Sequence, residues 1–191
     1  MTTDLFNVHH ELLARKLELL GLSAEATLSL GERVRHFDAG IAAARWVSSE
    51  RSFLITKGCV RYPGGGNQWR DEFLVEESES KSFSFTLLVF SVYYHLTLRP
   101  LMPSDVIEIG DLKDNAFGYS HVFVSVPFFF PGHVNVISIG GTNFSLQWLM
   151  PIYPQEAAFI EKYGPDKFEE RLRASPYDYF DIRSDFRYLD D

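Results

Sequence analysis

Groups able to do chemistry are sparse in this chain of 191 residues: six histidines, one cysteine and a scatter of acids. His9 and His10 are adjacent in "NVHHELLARK". On a helix, neighbouring side chains point to different faces, unlike the i,i+4 pair of a helical zinc motif, so both read as structural or surface residues. His121 and His133 have no nearby Cys/His spacing of the kind zinc requires. Cys59 follows Lys57 and Gly58. A nearby cation lowers a thiol pKa, but nucleophilic catalysis also needs a base, and local sequence fixes none; the thiol reads as a small buried apolar group. "GGGN" (64–67) lacks the Lys and Ser/Thr of a phosphate loop and precedes a strand-like run, so it reads as a turn. "GYSH" (118–121) lacks the second glycine of a nucleophile elbow. The expectation is no catalytic residue, no metal ligand and no cofactor.

Two features point instead to binding. Glu72 and Glu76 lie in "WRDEFLVEES", where Phe73 and Val75 share the inward parity and the two acids face water. Four strand positions separate the acids by about 13 Å, beyond the roughly 5 to 9.5 Å of paired glycosidase carboxylates. They either solvate the strand or, with Glu77 and Glu79, offer an acidic stripe to a basic partner. In "VPFFFPG", the rings of Phe128, Phe129 and Phe130 cannot all face inward on one strand. Either a bend buries all three or at least one belongs to an interaction surface. Glu72, Glu76, Phe128, Phe129 and Phe130 are therefore the candidate partner-binding residues.

The elements that position them follow from composition and period. With 46% apolar and 15% aromatic residues the chain has material for one substantial core, so a single domain spanning 1–191 is expected. A net charge of −8 without a basic cluster argues against nucleic-acid binding. A lone cysteine fits a reducing compartment. The start has no basic end followed by an apolar block, and no uncharged apolar run reaches membrane-spanning length, so a soluble cytoplasmic protein is expected.

Leu5, Val8, Leu12, Leu13, Leu17 and Leu20 form a helical stripe ending before Gly21, a cover within residues 1–29. "GIAAARWVSSE" reads as a strand, and "SFLITK" and "WRDEFLVEE" as a strand pair around the glycine-rich turn. "KSFSFTLLVFSVYYHLTLRP" is apolar on nearly every face and fits helix or strand. "SHVFVSVPF", "HVNVISI" and "NFSLQWLMPIY" supply further strands. At the last of these Pro151 ends the strand, Pro154 starts a helix with Ala157, Ala158 and Ile160 inward beside Glu156 and Glu161, and Gly164–Pro165 punctuates a second helix with Phe168 and Leu172 inward. The tail 175–191, with Tyr179, Phe180, Phe186 and Tyr188, either staples to the body or forms a peptide-binding surface.

Several stretches in this order, "FLITKGCVRYP", "DEFLVEES", "YSHVFVSVPFFFPG" and "FSLQWLMPIYPQEAAFIEKYGPDKFEERL", resemble the Suppressor-of-fused domain family over approximately residues 30 to 183. The resemblance implies a single α+β domain with a mixed, mainly antiparallel sheet flanked by helices, and makes 83–96 a buried helix. It also implies a non-enzymatic protein-binding domain. Animal members hold a transcription factor through an extended peptide with the help of an additional domain; compact bacterial members look like immunity proteins that neutralise a cognate toxin. An enzyme whose site is assembled only by the fold, and a structural assembly module, are the alternatives.

Overall fold

The computed structural model describes residues 2–30, 41–62, 69–77, 81–112, 115–174 and 189. Helix α1 (Thr2–Leu19) opens the chain. Its buried row is His9, Leu13 and Leu17, an i,i+4 repeat, whereas Val8 and Leu20 of the expected stripe are 39% and 38% exposed. A histidine holds a place that hydrophobicity alone assigns to leucine. Gly21 adopts φ 79°, and the Leu22 N–H donates back to the Leu17 carbonyl at 3.1 Å, which caps the helix.

The helical part of the N-terminal cover ends there, because β1 (Ser23–Ser29) pairs antiparallel with β2 (Ala42–Val47) as the outermost strand. β2 pairs with β3 (Ser52–Lys57), and β3 with β4 (Trp69–Glu76), both antiparallel. Helix α2 (Lys81–Thr97), β5 (Val106–Glu108), β6 (His121–Ser125), the short helix α3 (Gly132–Asn135), β7 (Val136–Ile139) and β8 (Thr142–Ile152) follow. The sheet runs β1-β2-β3-β4-β8-β6-β5, with β7 paired to the start of β8. Among the described strand pairs only β4–β8 is parallel, so the sheet is mixed and mainly antiparallel.

Both faces are covered. On one, Leu13 and Leu17 of α1, Phe159 and Ile160 of α4 (Pro154–Tyr163), and Phe168 and Leu172 of α5 (Pro165–Ala174) pack over Leu74, Phe144, Leu146, Trp148 and Met150. On the other, Phe83, Leu87, Leu88 and Val92 of α2 pack over Leu54, Phe73, Val75, Val124 and Leu149. The all-round apolar character of 83–96 is thus that of a helix in the interior, with Phe85, Val89, Phe90 and Tyr94 also packed against this cluster.

The junction after β8 departs from expectation in two places. The ladder crosses Pro151, which registers with Val122, and the Ser120 N–H donates to the Ile152 carbonyl at 3.0 Å. The strand continues by using an acceptor beyond the proline, not the donor that proline lacks. Glu156 is fully buried, not on the polar face of α4: its Oε2 accepts the Tyr153 N–H at 2.7 Å and caps the helix, while Ala158 is exposed. Gly164 at φ 88° then separates α4 from α5. The "GGGN" turn, Glu79 and the tail rings Tyr179, Phe180, Phe186 and Tyr188 lie outside the described residues, although Leu189 packs against the α1-side core.

Trp148 is 1% exposed at the centre of this core. Trp148→Ala is expected to cost about 3 to 5 kcal/mol in urea unfolding, whereas Glu170→Ala, on the solvent face of α5, leaves the midpoint unchanged.

Candidate functional site

Coverage of both faces decides the fate of the acids on β4. Glu72 was expected to face water; instead it is 0% exposed, because its face of the strand lies under α1 rather than in solvent. The β3–β4 register runs from Phe53↔Glu76 to Ile55↔Leu74. Beyond it, Gly58 turns at φ 106°, a left-handed conformation that favours glycine, into the 3₁₀ turn Cys59–Arg61. This turn aims the Gly58, Cys59 and Val60 amides at the Glu72 carboxylate, with Gly58 N–H at 2.8 Å from Oε1. The Thr56 hydroxyl donates to Oε2 and accepts the Phe73 N–H at 2.7 Å.

Helix α1 completes the cluster. His10 Nε2 lies 3.5 Å from Glu72 Oε1, and His9 stacks on Phe144 with ring centroids 4.5 Å apart. The adjacent imidazoles do not diverge to opposite sides of the helix environment: their centroids are 5.2 Å apart, and one ligand atom each from His9, His10 and Glu72 lies within 4.8 Å of the others. Burial drives His9 down to about 3, with His10 adding to the effect. His10 falls to about 4 through burial and the nearby Lys57 and Arg61 charges. Both are neutral at pH 7. Burial raises Glu72 to about 8 against the Thr56 hydroxyl and three amide donors, which favour its charged form.

The other expected acids are also committed within the fold. Glu76 is half-buried, and Glu77 is held by Arg45 through Nε–Oε2 at 2.5 Å and Nη2–Oε1 at 2.6 Å. The Phe128–Phe130 run forms a bend, but the bend does not bury all three rings. Phe130 is buried and Phe128 and Phe129 half-buried, with Phe129 stacked on Phe53 at 5.6 Å and edge-on to Trp148 at 5.1 Å. Asn135 Nδ2 donates to the Pro127 carbonyl at 2.8 Å and pins the bend. Beside it, Leu20, Leu22, Ser48, Arg51, Phe53 and the two rings Phe129 and Phe130 line a shallow groove of about 200 Å³.

Among the described residues, Cys59, His121 and His133 lie apart from one another. Cys59 is fully buried in the α2-side core, where burial and the Glu72 charge raise its thiol well above the ordinary value. His121 is on the far side of β8, with Nδ1 2.7 Å from Ser120 Oγ, in an open cavity of about 510 Å³ shared with Glu108, Glu161 and Ala157. His133 is exposed. Asp71 is buried on the opposite face from Glu72, accepting the Ser145 hydroxyl and, at 3.1 Å, Gln147 Nε2.

A mixed, mainly antiparallel sheet between α2 and the α1/α4/α5 layer, with a carboxylate enclosed where β3 leaves β4, makes this an α+β domain. The family model for Suppressor of fused protein (SUFU) matches residues 42–183, and the chain belongs to that family. Its fold is similar to that of a putative SUFU homologue from Neisseria gonorrhoeae FA 1090, with TM-score 0.63, 16% identity, and coverage of 91% of this chain and 90% of that one. It is also similar to a chain of the Sufu–Fu complex, with TM-score 0.50, 11% identity, and coverage of 71% and 69% respectively. No curated protein matches the sequence.

The elevated Glu72 pKa has a definite sign for stability. Between the ordinary value of 4.5 and about 8 the folded protein holds a proton that the unfolded chain has released, so this group's contribution is full below 4.5 and is lost as pH rises through 8. Urea midpoints measured in EDTA-containing buffer from pH 5 to 9 should therefore fall for the native chain and change less for Glu72→Gln. Equal slopes would show that Glu72 titrates at its ordinary value.

Proposed function

We propose that this chain is a non-enzymatic protein-binding domain and, more specifically, an immunity protein that neutralises a cognate toxin in the cytoplasm. Family membership carries the reading. It is supported by likeness to a fold found in a complex of two proteins, Sufu and Fu, and by the near-equal extent of this chain and the Neisseria protein. Among the described residues, no helix is long and apolar enough to cross a membrane.

The contact surface we assign is the groove beside Phe128 and Phe129. Of the expected set, Phe129 and Phe130 line this groove, whereas Glu72 is enclosed and the half-buried Glu76 and Phe128 do not line it. An apolar side chain of the partner would seat against Phe53, Phe129 and Leu22, with Arg51 at the rim. The rings are already braced by Trp148 and by one another, so little side-chain entropy is lost on docking.

Leu20 lines the groove, is 38% exposed and belongs to neither core cluster, so Leu20→Arg fills it and spares the interior. A partner captured from the source cell should be purified, and its binding to the native and Leu20→Arg chains measured directly. The expected result is at least a tenfold loss of affinity, mainly through faster dissociation, with unchanged unfolding. Unchanged affinity would reject this groove. Expression of the same partner should arrest growth, and co-expression of the native chain should restore it; persistent arrest would reject the immunity function.

A further inference from the structure

We propose that His9, His10 and Glu72 form a binding site for one zinc ion, which fastens α1 to the sheet. Two adjacent residues of α1 and one of β4 present their ligand atoms within 4.8 Å of one another. Zinc binds imidazole nitrogen at about 2.0–2.1 Å and carboxylate oxygen at about 2.0–2.2 Å, so neighbouring ligand atoms around a tetrahedral ion are about 3.4 Å apart. The His10 Nε2–Glu72 Oε1 separation is already 3.5 Å. The widest separation of the ligand atoms, up to 4.8 Å, would close by about 1.4 Å on binding.

An independent observation points to a ligand here. His9 is 2% exposed, and its Nδ1 is buried without a hydrogen-bond partner. An enclosed, unpaired imidazole nitrogen is unfavourable unless something accepts or ligates it. The surroundings also supply the outer contacts that orient metal ligands: Phe144 stacks on His9, while Thr56 and Gly58 hold the two carboxylate oxygens. His10, with 16% of its side chain exposed, provides the approach from solvent and leaves room for water as a fourth ligand.

The donor set selects the kind of ion. Two neutral imidazoles and one carboxylate favour zinc over calcium or magnesium, which require several oxygen ligands. The positive charges of Lys57 and Arg61 act on His10 and oppose a cation, so binding relies on the nitrogen ligands and on ionisation of Glu72. Zinc would be held by the two imidazoles and the Glu72 carboxylate together. Its effect would be structural, linking the first helix to β4 and the Gly58 turn.

The test uses the full, untagged chain after chelator dialysis, titrated calorimetrically with zinc chloride and then with cobalt(II) as an optical probe. The expected result is one equivalent of zinc, a raised Tm with zinc but not with magnesium or calcium, and a four-coordinate cobalt ligand-field spectrum. His10→Ala, at the exposed edge of the cluster, should weaken zinc binding by at least about tenfold. Absence of zinc binding, equal affinity in His10→Ala, or a six-coordinate cobalt spectrum would overturn the proposal; the cobalt measurement on the native chain retains that power even if a variant fails to fold.

Discussion

The parallel pairing of β4 with β8 at the middle of the sheet is the constraint from which the rest follows. A parallel pair flanked by helices on both faces has no side open to water, so every residue of β4 from Asp71 to Val75 is buried, including two acids. Burying a carboxyl without partners is costly, and each acid is supplied with them from neighbouring backbone or side chains. Asp71 takes them from Ser145 and Gln147 on β8 itself. Glu72 takes them from Thr56 and from a turn whose geometry exists to provide them. The Gly58 backbone, the departure of β3 from β4 and the seating of α1 are therefore parts of one polar arrangement.

This arrangement also separates the roles of the two faces. The α2 side encloses Cys59 and the face of β4 that carries Phe73 and Val75, while the α1 side carries the imidazoles, the aromatic bend and the groove next to it. Trp148 connects the latter two features: it belongs to the same core as Leu74 and Leu146, and the rings of Phe128 and Phe129 rest edge-on against it. A contact at the groove is thus braced by the interior, whereas the cavity around His121 lies at the opposite end of the strand order.

Much of this order is legible in the residues. Strand parity places Trp148 in the core, and Pro154, Gly164 and Pro165 mark α4 and α5 because each has a backbone restriction that applies whatever surrounds it. The interior position of 81–97 follows from apolar residues on every face, but its helical form does not, since β-branched and aromatic residues there favour strand; family resemblance resolves it. Parity fails on β4 for a different reason. Alternation of Glu72 and Glu76 with Phe73 and Val75 reads as one wet face, and only the identity of the neighbouring strands and helices reveals that both faces are dry. The histidine cluster escapes local reading for the same reason: His9 joins the i,i+4 row with Leu13 and Leu17, a visible sign of burial, while its meeting with Glu72 is set by tertiary packing alone.

Native-state hydrogen exchange at Gly58, Cys59 and Val60 tests most directly whether the buried Glu72 carboxyl organises this part of the fold. If it does, their amides exchange only with opening of the domain, at the rate of the β4 core, and Glu72→Ala releases all three together while the amides of α2 remain protected. Exchange of the three amides at the rate of an exposed turn in the native chain would contradict the account.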